Sequence, residues 1–225
     1  MRMSSRGRSC AGCRVSNFGG STRMGAEVLI VADNSDRTEH ELTAAELAFH
    51  DCQGELRPWG HARARRLRTR HGTRKIRPRR ACCRACGQTH VLLAGVALLR
   101  RADAVELIGA AIVANAAGQG HRPIAARLGR PEATVRGWLR RFAARAEQTA
   151  SHAVAWVYRL DVNAFRVEPR QDDSPVQFAL AALGRAVAAA EHFMGTAARS
   201  RWQVVSSLCS GRLLANTSCP YPPLR

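Results

Sequence analysis

The chain has 225 residues, a formal net charge of +18 and a sequence pI near 11.3. That length allows one domain or two small ones, and the positive charge favours a polyanionic partner. No apolar run approaches the roughly 20 residues that span a bilayer, and the first 21 residues lack the apolar core of a secretory signal. The sequence therefore predicts a cytoplasmic protein with no membrane partner.

The charges are segregated along the chain. Residues 57–80 carry eleven basic residues and no acid, whereas residues 26–56 carry Arg37 against eight acids. Residues 99–145 hold nine arginines against three acids. A uniform compositional bias towards arginine would not separate charge in this way, so the pattern indicates local basic surfaces.

We predict an α+β, mostly α fold. Residues 1–25 are rich in Ser, Gly and Arg and are expected to form a disordered basic extension. Residues 26–98 should contain a buried strand, Glu27–Val31, an acidic helix over 36–48 and a small β module resembling a zinc ribbon. A trihelical helix-turn-helix domain follows over 99–148, and residues 149–225 are expected to be helical with a frayed tail.

Cysteine spacing predicts the zinc-ribbon-like module. Cys52 is followed thirty-one residues later by the Cys83-x-x-Cys86 pair, and a glycine stands close after each of these turns. Zinc prefers four tetrahedral N or S ligands, and such glycines let backbone amides approach thiolates. A matching cysteine is expected at position 49, where Phe49 stands instead, so His50 or Cys82 is the candidate fourth ligand, although neither has the ideal spacing. The alternative is a degenerate ribbon that binds metal weakly or not at all.

The segment between the cysteines is the most basic part of the chain. Leu56–Trp59 and Lys75–Arg77 are strand-like, with a turn at His71 and Gly72, which predicts a hairpin built from these two segments. The arginines of this segment are expected to hold DNA phosphates; the alternative is a solvated basic loop. The candidates are Arg63, Arg65, Arg66, Arg68 and Arg70.

The helix-turn-helix prediction depends on residues 103–142. A helix over 103–117 is followed by a Gly-rich break and by a short helix with Ile124, Ala125 and Leu128 on one face. Gly129 permits the positive φ of a turn, and Pro131 suits the start of the next helix. The last helix places Val135, Trp138, Leu139 and Phe142 on its buried side.

The opposite side of that last helix is basic. Arg136 and Arg140 are predicted to read base edges in the major groove, with Glu132 and Thr134 assisting. Further DNA contacts are expected from Arg122, Arg130 and Arg141. The alternative is an ordinary amphipathic helical hairpin with a solvated arginine face.

Three more helical segments are predicted towards the end of the chain. The helix containing Phe142 should run on towards Tyr158, and a loop over 161–175 should precede a helix over 176–193. Residues 202–214 should form the last helix. These helices are candidates for a homodimer contact, since paired recognition helices need two half-sites.

Several runs resemble a family of uncharacterised proteins from high-GC Gram-positive bacteria. They are Leu42–Leu47, Gly54–His61, Cys83–Leu93, Gly120–Pro131 and Trp202–Leu214. Members combine a zinc-ribbon-like segment with a transposase-type helix-turn-helix, and the similarity covers about residues 26–215. The resemblance implies an architecture and a DNA-linked context. The family pattern has a Cys-Pro-x-Cys turn where this chain has Phe49–Cys52.

These observations predict a protein that binds double-stranded DNA. The favoured function is a transposase-related accessory or end-binding protein that lacks a catalytic domain and works with a separate integrase-type transposase. A transcriptional regulator is the alternative. A catalytic transposase or nuclease is disfavoured, because two-metal chemistry needs converging carboxylates and the acids after residue 147 lie mostly in one loop. We therefore expect no enzyme activity, and zinc as the cofactor.

Overall fold

The computed structural model describes residues 27–49, 52–161, 167–194 and 200–215. The predicted extension over 1–25, the candidate ligand His50 and the tail from 216 onward lie outside these ranges. The described strands are β1 (Glu27–Val31), β2 (Leu56–His61), β3 (Arg65–Thr69), β4 (Gly72–Ile76), β5 (Arg79–Cys83) and β6 (Thr89–Ala94). The described helices are α1 (Ser35–Thr43), α2 (Val105–Ala116), α3 (His121–Leu128), α4 (Glu132–Ala143), α5 (Ala146–Leu160), α6 (Pro175–Met194) and α7 (Arg201–Leu208).

Four strands form one mixed sheet in the order β1-β6-β5-β2. The strand predicted at Glu27–Val31 is present as β1 and runs parallel to β6, while β5 pairs antiparallel with both β6 and β2. The predicted hairpin is wrong in its pairing, since β2 pairs with β5 and the hairpin is formed by β3 and β4. Gly72, at φ +126°, lies at the β3–β4 turn, where positive φ favours glycine.

The acidic helix is shorter than predicted. Asn34 caps α1 by accepting hydrogen bonds from the amides of Asp36 and Arg37 through its side chain. The helix ends at Thr43, and Ala45 has a φ of +56°, which is incompatible with continuing the helix to residue 48.

Two ion pairs, Arg74 with Asp33 at 2.8 Å and Arg79 with Glu39 at 2.7 Å, join this acidic region to the basic strands.

Helices α2, α3 and α4 pack against one another in pairs. A Schellman motif ends α3: the amide of Arg130 donates to the carbonyl of Ala125 at 3.0 Å, and that of Gly129 donates to Ala126 at 3.2 Å. Gly129 has the left-handed φ of +60° that this motif needs, and Pro131 is the N-cap residue immediately before α4. The glycine and proline therefore fix the sharp turn between the two helices.

The C-terminal half differs from the prediction at two helix ends. The helix through Phe142 stops at Ala143, and a separate helix α5 begins at Ala146, because Arg145 leaves helical geometry with φ −133°. The helix predicted over 202–214 ends at Leu208, before Ser210 and Gly211 take positive φ. Helix α5 packs along α6, and α6 and α7 both contact α2.

One apolar core runs through all the helices from α2 to α7. It extends from Leu98 to Leu214 and includes buried side chains from each of these helices. Gly109 on α2 is where Trp202 of α7 approaches, and a Cβ there would lie 2.0 Å from the indole ring. Separate small cores lie beside the sheet around Leu56 and beneath the hairpin around Leu67.

Among the described helices, none is both long and apolar enough to cross a lipid bilayer.

Candidate metal centre and basic surface

Three cysteines brought together by the fold could hold a metal ion. The sulfur atoms of Cys52, Cys83 and Cys86 all lie within 4.8 Å of one another, and those of Cys52 and Cys83 are 3.4 Å apart. Cys83 ends β5, Cys86 lies in the turn before β6, and Cys52 lies in the turn before β2. The pairing of β2 with β5 therefore brings the two turns side by side.

The two turns have the same backbone hydrogen bonds. In the second turn, the amide of Cys83 donates to the carbonyl of Gln88 at 2.9 Å, and the amide of Gly87 donates to the carbonyl of Cys83 at 3.1 Å. Gly87 has a φ of +72°. These bonds close the turn that carries the sulfur atoms of Cys83 and Cys86.

In the first turn, the amide of Phe49 donates to the carbonyl of Gly54 at 2.9 Å, and the amide of Gln53 donates to the carbonyl of Phe49 at 2.7 Å. Gln53 takes a φ of +55°, which is uncommon for a residue other than glycine. The position of Phe49 therefore corresponds to that of Cys83, and Cys52 corresponds to Cys86. The two turns thus share one backbone geometry, and the second carries two thiols where the first carries one.

Phe49 is buried, with 2% of its surface exposed, and its ring centroid lies 4.3 Å from that of His90. The place of a fourth thiolate is thus taken by an apolar contact. Cys82 does not join the cluster, because its sulfur lies 3.5 Å from the carbonyl oxygen of Gly87 and the side chain is buried elsewhere.

The absence of a side chain at Gly54 leaves room for the sulfur atoms of the cysteine cluster. A Cβ at this position would lie 2.5 Å from the sulfur of Cys83 and 3.2 Å from that of Cys52. Any larger residue would push the two turns apart. The sequence pattern of a glycine after each turn therefore has a steric basis at Gly54 and a conformational basis at Gly87.

The hydrogen bonding of the thiols favours charge at Cys83. Burial raises the pKa of the Cys83 thiol, but hydrogen bonds from the Cys86 amide and the Cys52 thiol outweigh it, and the pKa is lowered. Burial raises the pKa of the neighbouring Cys86 thiol to about 12. Metal ions bind thiolates, so binding at this cluster would release protons.

The second feature is the basic face of α4. Val135, Trp138 and Phe142 are 0%, 3% and 1% exposed, so one side of the helix is fixed in the core. Arg136 and Arg140, which the sequence predicts to contact DNA bases, lie exposed on the other side. The 3.6-residue period of the apolar positions therefore directs these two guanidinium groups outward.

The other candidates on α3 and α4 are placed differently. Arg122 and Glu132 form an exposed ion pair at 3.5 Å, and Thr134 is half-buried. Arg141 is half-buried and donates to the carbonyl of Gly137 at 3.1 Å. Arg130 has a side chain only 16% exposed and is held by Asp103. Of this group, Arg122 and Glu132 are the most accessible to a ligand.

The five arginine candidates around the hairpin also divide into two groups. Arg63, Arg66 and Arg70 are exposed. Arg65 is half-buried, and its side chain donates to the carbonyl of Leu98 at 3.3 Å. Burial lowers the pKa of the Arg65 guanidinium. Arg68 is exposed over 44% of its side chain and is ion-paired with Asp103.

The register of the hairpin adds a residue that the sequence candidates do not include. Lys75 on β4 lies directly opposite Arg66 on β3, and both are exposed. Like charges at directly opposed positions destabilise a strand pair. The opposed side chains of Arg66 and Lys75 therefore concentrate positive charge on the exposed surface of the hairpin.

Asp103 joins the hairpin to the helices, and the sequence gives no sign of this role. It is 3% exposed and accepts hydrogen bonds from Arg68 Nε at 2.9 Å, Arg68 Nη2 at 2.8 Å and Arg130 Nε at 2.9 Å. Backbone hydrogen bonds from Arg68 to Ala102 and from Ala104 to Arg68 continue the junction. The basic hairpin is therefore fixed beside the turn between α3 and α4.

Comparison of the chain with protein family models, with curated proteins and with solved structures gives no match in any of the three.

Proposed function

We propose that the protein binds double-stranded DNA, with α3 and α4 forming a helix-turn-helix and α4 lying in the major groove. The observation that carries this proposal is the pair Arg136 and Arg140, exposed on a helix whose opposite face is buried. An arginine can form a bidentate contact with guanine, which gives about 1–3 kcal/mol of discrimination. The sharp turn at Gly129 and the packing of both helices on α2 are consistent with this arrangement.

The hairpin supplies contacts of another kind in this proposal. Arg63, Arg66 and Lys75 are exposed on and around a two-stranded ribbon that the Asp103 junction holds beside the helices. Exposed cations on a rigid ribbon bind phosphates without regard to sequence. The chain thus has one surface suited to base recognition and another suited to backbone contacts.

The resemblance described above favours a narrower function, namely an end-binding or accessory protein that acts with a separate transposase. Mapping the genomic sites that the protein occupies tests this function. Occupancy of terminal inverted repeats is expected, and occupancy confined to promoters would contradict it.

The division between base and phosphate contacts can be tested with two matched variants. Selection from a random duplex pool gives the preferred site, and dissociation constants are then measured across salt concentrations. Arg136→Ala should reduce the preference for that site over random DNA by roughly 5- to 150-fold, which corresponds to about 1–3 kcal/mol. Arg63→Ala/Arg66→Ala should weaken binding to all sequences alike and flatten the salt dependence. Equal loss of preference in both variants contradicts the proposal.

We also propose that Cys52, Cys83 and Cys86 hold a zinc ion with a structural role. The three thiols, which lie within 4.8 Å of one another, supply three of the four tetrahedral donors that zinc prefers, and sulfur is a donor type that suits this ion. The bound ion would hold the two turns together and stabilise the sheet through β2 and β5. Metal analysis of the purified protein should give about one zinc per chain, a stoichiometry lost in Cys83→Ser and unchanged in the control Cys209→Ser.

A further inference from the structure

A cleft lies between the β3–β4 hairpin and the helices, and its walls are basic. Its volume is about 510 Å³, and the hairpin forms one wall while α2 and the end of α3 form the other. The polar lining residues are Arg68, Thr69, Arg70, Thr73, Arg127 and Arg130. Among the described residues that line the cleft, none is acidic. This cleft is distinct from the exposed face of α4 that carries Arg136 and Arg140.

Within the described ranges, the carboxylate that pairs with these arginines is that of Asp103, which lies behind them. Asp103 is 3% exposed, does not line the cleft and is shared between Arg68 and Arg130. One carboxylate therefore offsets two guanidinium groups, and the exposed Arg70 and Arg127 add two more positive charges. The cleft keeps a net positive charge, which favours an anionic ligand.

The buried carboxylate also orients the two arginines. Arg68 uses Nε and Nη2 to hold Asp103, which leaves the N–H groups of Nη1 for a ligand. Arg130 uses Nε for Asp103, Nη1 for the carbonyl of Gly129 and Nη2 for that of Thr69. One N–H on each Nη atom of Arg130 remains. These guanidinium groups are fixed before a ligand arrives, so binding loses little side-chain entropy.

We propose that this cleft is a phosphate-binding site. Guanidinium groups form charge-assisted hydrogen bonds with phosphate oxygens, and threonine hydroxyls can add further donors. The phosphate belongs either to the DNA backbone or to a free phosphorylated molecule, since the cleft volume falls in the range of small-molecule sites. If the phosphate is that of the DNA backbone, this inference rests on the proposed DNA binding; if it is that of a free molecule, it does not.

The test variant is Arg70→Ala/Arg127→Ala. Both side chains are exposed and neither belongs to the Asp103 junction, so the fold should survive, which thermal unfolding checks. The control variant, Arg170→Ala/Arg185→Ala, removes two exposed arginines elsewhere. Binding of inorganic pyrophosphate is measured by calorimetry, and binding of a short random-sequence duplex is measured by fluorescence anisotropy across salt concentrations.

The outcomes separate the two sources of phosphate. If the site binds the DNA backbone, the test variant binds the duplex at least tenfold more weakly than the control, and its salt slope is shallower by roughly one to two. If the site binds a free phosphorylated molecule, wild type and control bind pyrophosphate and the test variant does not, while duplex affinity is unchanged. Test and control variants that match in both assays overturn the proposal.

The Arg136→Ala measurement keeps this inference separate from the helix-turn-helix proposal. Unchanged base preference in Arg136→Ala, together with weaker duplex binding in Arg70→Ala/Arg127→Ala, would leave the phosphate site standing and remove the role of α4. If Arg136→Ala loses base preference while Arg70→Ala/Arg127→Ala binds the duplex and pyrophosphate as the control does, the role of α4 stands and the phosphate site is removed.

Discussion

Replacing Asp103 with asparagine tests the junction that orients the hairpin. The substitution keeps the side-chain shape but removes the charge that two guanidinium groups share, with three hydrogen bonds of 2.8–2.9 Å. Removing one member of a buried ion pair costs about 3–5 kcal/mol. Since the Arg68 side chain is 44% exposed and can be rehydrated, we expect the lower end, about 3 kcal/mol.

Thermal and urea unfolding measure this loss. For a chain of this size, about 3 kcal/mol should lower Tm by roughly 6–12 °C. The control is Glu55→Gln, whose ion pair with Arg84 spans 3.7 Å between side chains more than half exposed, and which should change stability by less than about 0.5 kcal/mol.

Hydrogen exchange gives a local measure of the same junction. The amides of Arg68 and Ala104, whose hydrogen bonds of 2.8 Å connect the hairpin to the segment before α2, should exchange faster in Asp103→Asn. A loss of stability no larger than that of Glu55→Gln, with unchanged exchange at these amides, would refute the structural role given to Asp103.

Three further predictions follow from the packing and the thiol cluster. Phe49→Cys should lower the stability of the metal-free protein by roughly 2–4 kcal/mol, because a buried ring is lost, but should increase the zinc-dependent rise in Tm over wild type; an unchanged zinc response would contradict the correspondence of Phe49 with Cys83. Gly109→Ala should destabilise by about 1–3 kcal/mol, since its Cβ would lie 2.0 Å from Trp202, and Gly184→Ala, where the space is open, should not destabilise; calorimetric unfolding of the two variants compares them. Burial lowers the pKa of His152 despite the Leu208 carbonyl, so the unfolded chain binds the proton more readily and stability should fall as pH drops below about 6.5. His152→Gln should flatten that part of the stability profile, and an identical slope would show that another group is responsible.

Local sequence signals predicted the helices around the turn well. The apolar periods of α2, α3 and α4, with Gly129 and Pro131 between the last two, depend on interactions within a few residues, so they can be read without the tertiary fold. The spacing of the cysteines also indicated that Cys52, Cys83 and Cys86 lie in turns that could hold a metal ion, because the spacing within such a turn is local. The strand at Glu27–Val31 has a short apolar pattern of the same kind.

The features that sequence alone did not reveal depend on contacts between distant residues. The β3–β4 hairpin contains only Leu67 and Ile76 as buried side chains, so its apolar period is too weak to indicate the pairing. Asp103 meets Arg68 from 35 residues away and Arg130 from 27 residues away, and nothing in the local pattern distinguishes it from a solvent-exposed acid. Arg65 and Arg130 are half-buried, and local sequence could not indicate this because the fold sets which side of each element faces inward.

The proposed contact between the exposed face of α4 and the DNA bases can be tested by photocrosslinking. One variant carries a photoreactive amino acid in place of Arg140, and a second carries it in place of Arg185 on α6. Each variant is irradiated in complex with the duplex selected from a random pool. Crosslinks are expected from position 140 to bases in the major groove of the selected site, and none is expected from position 185. Crosslinks from position 185 without any from position 140 would contradict it.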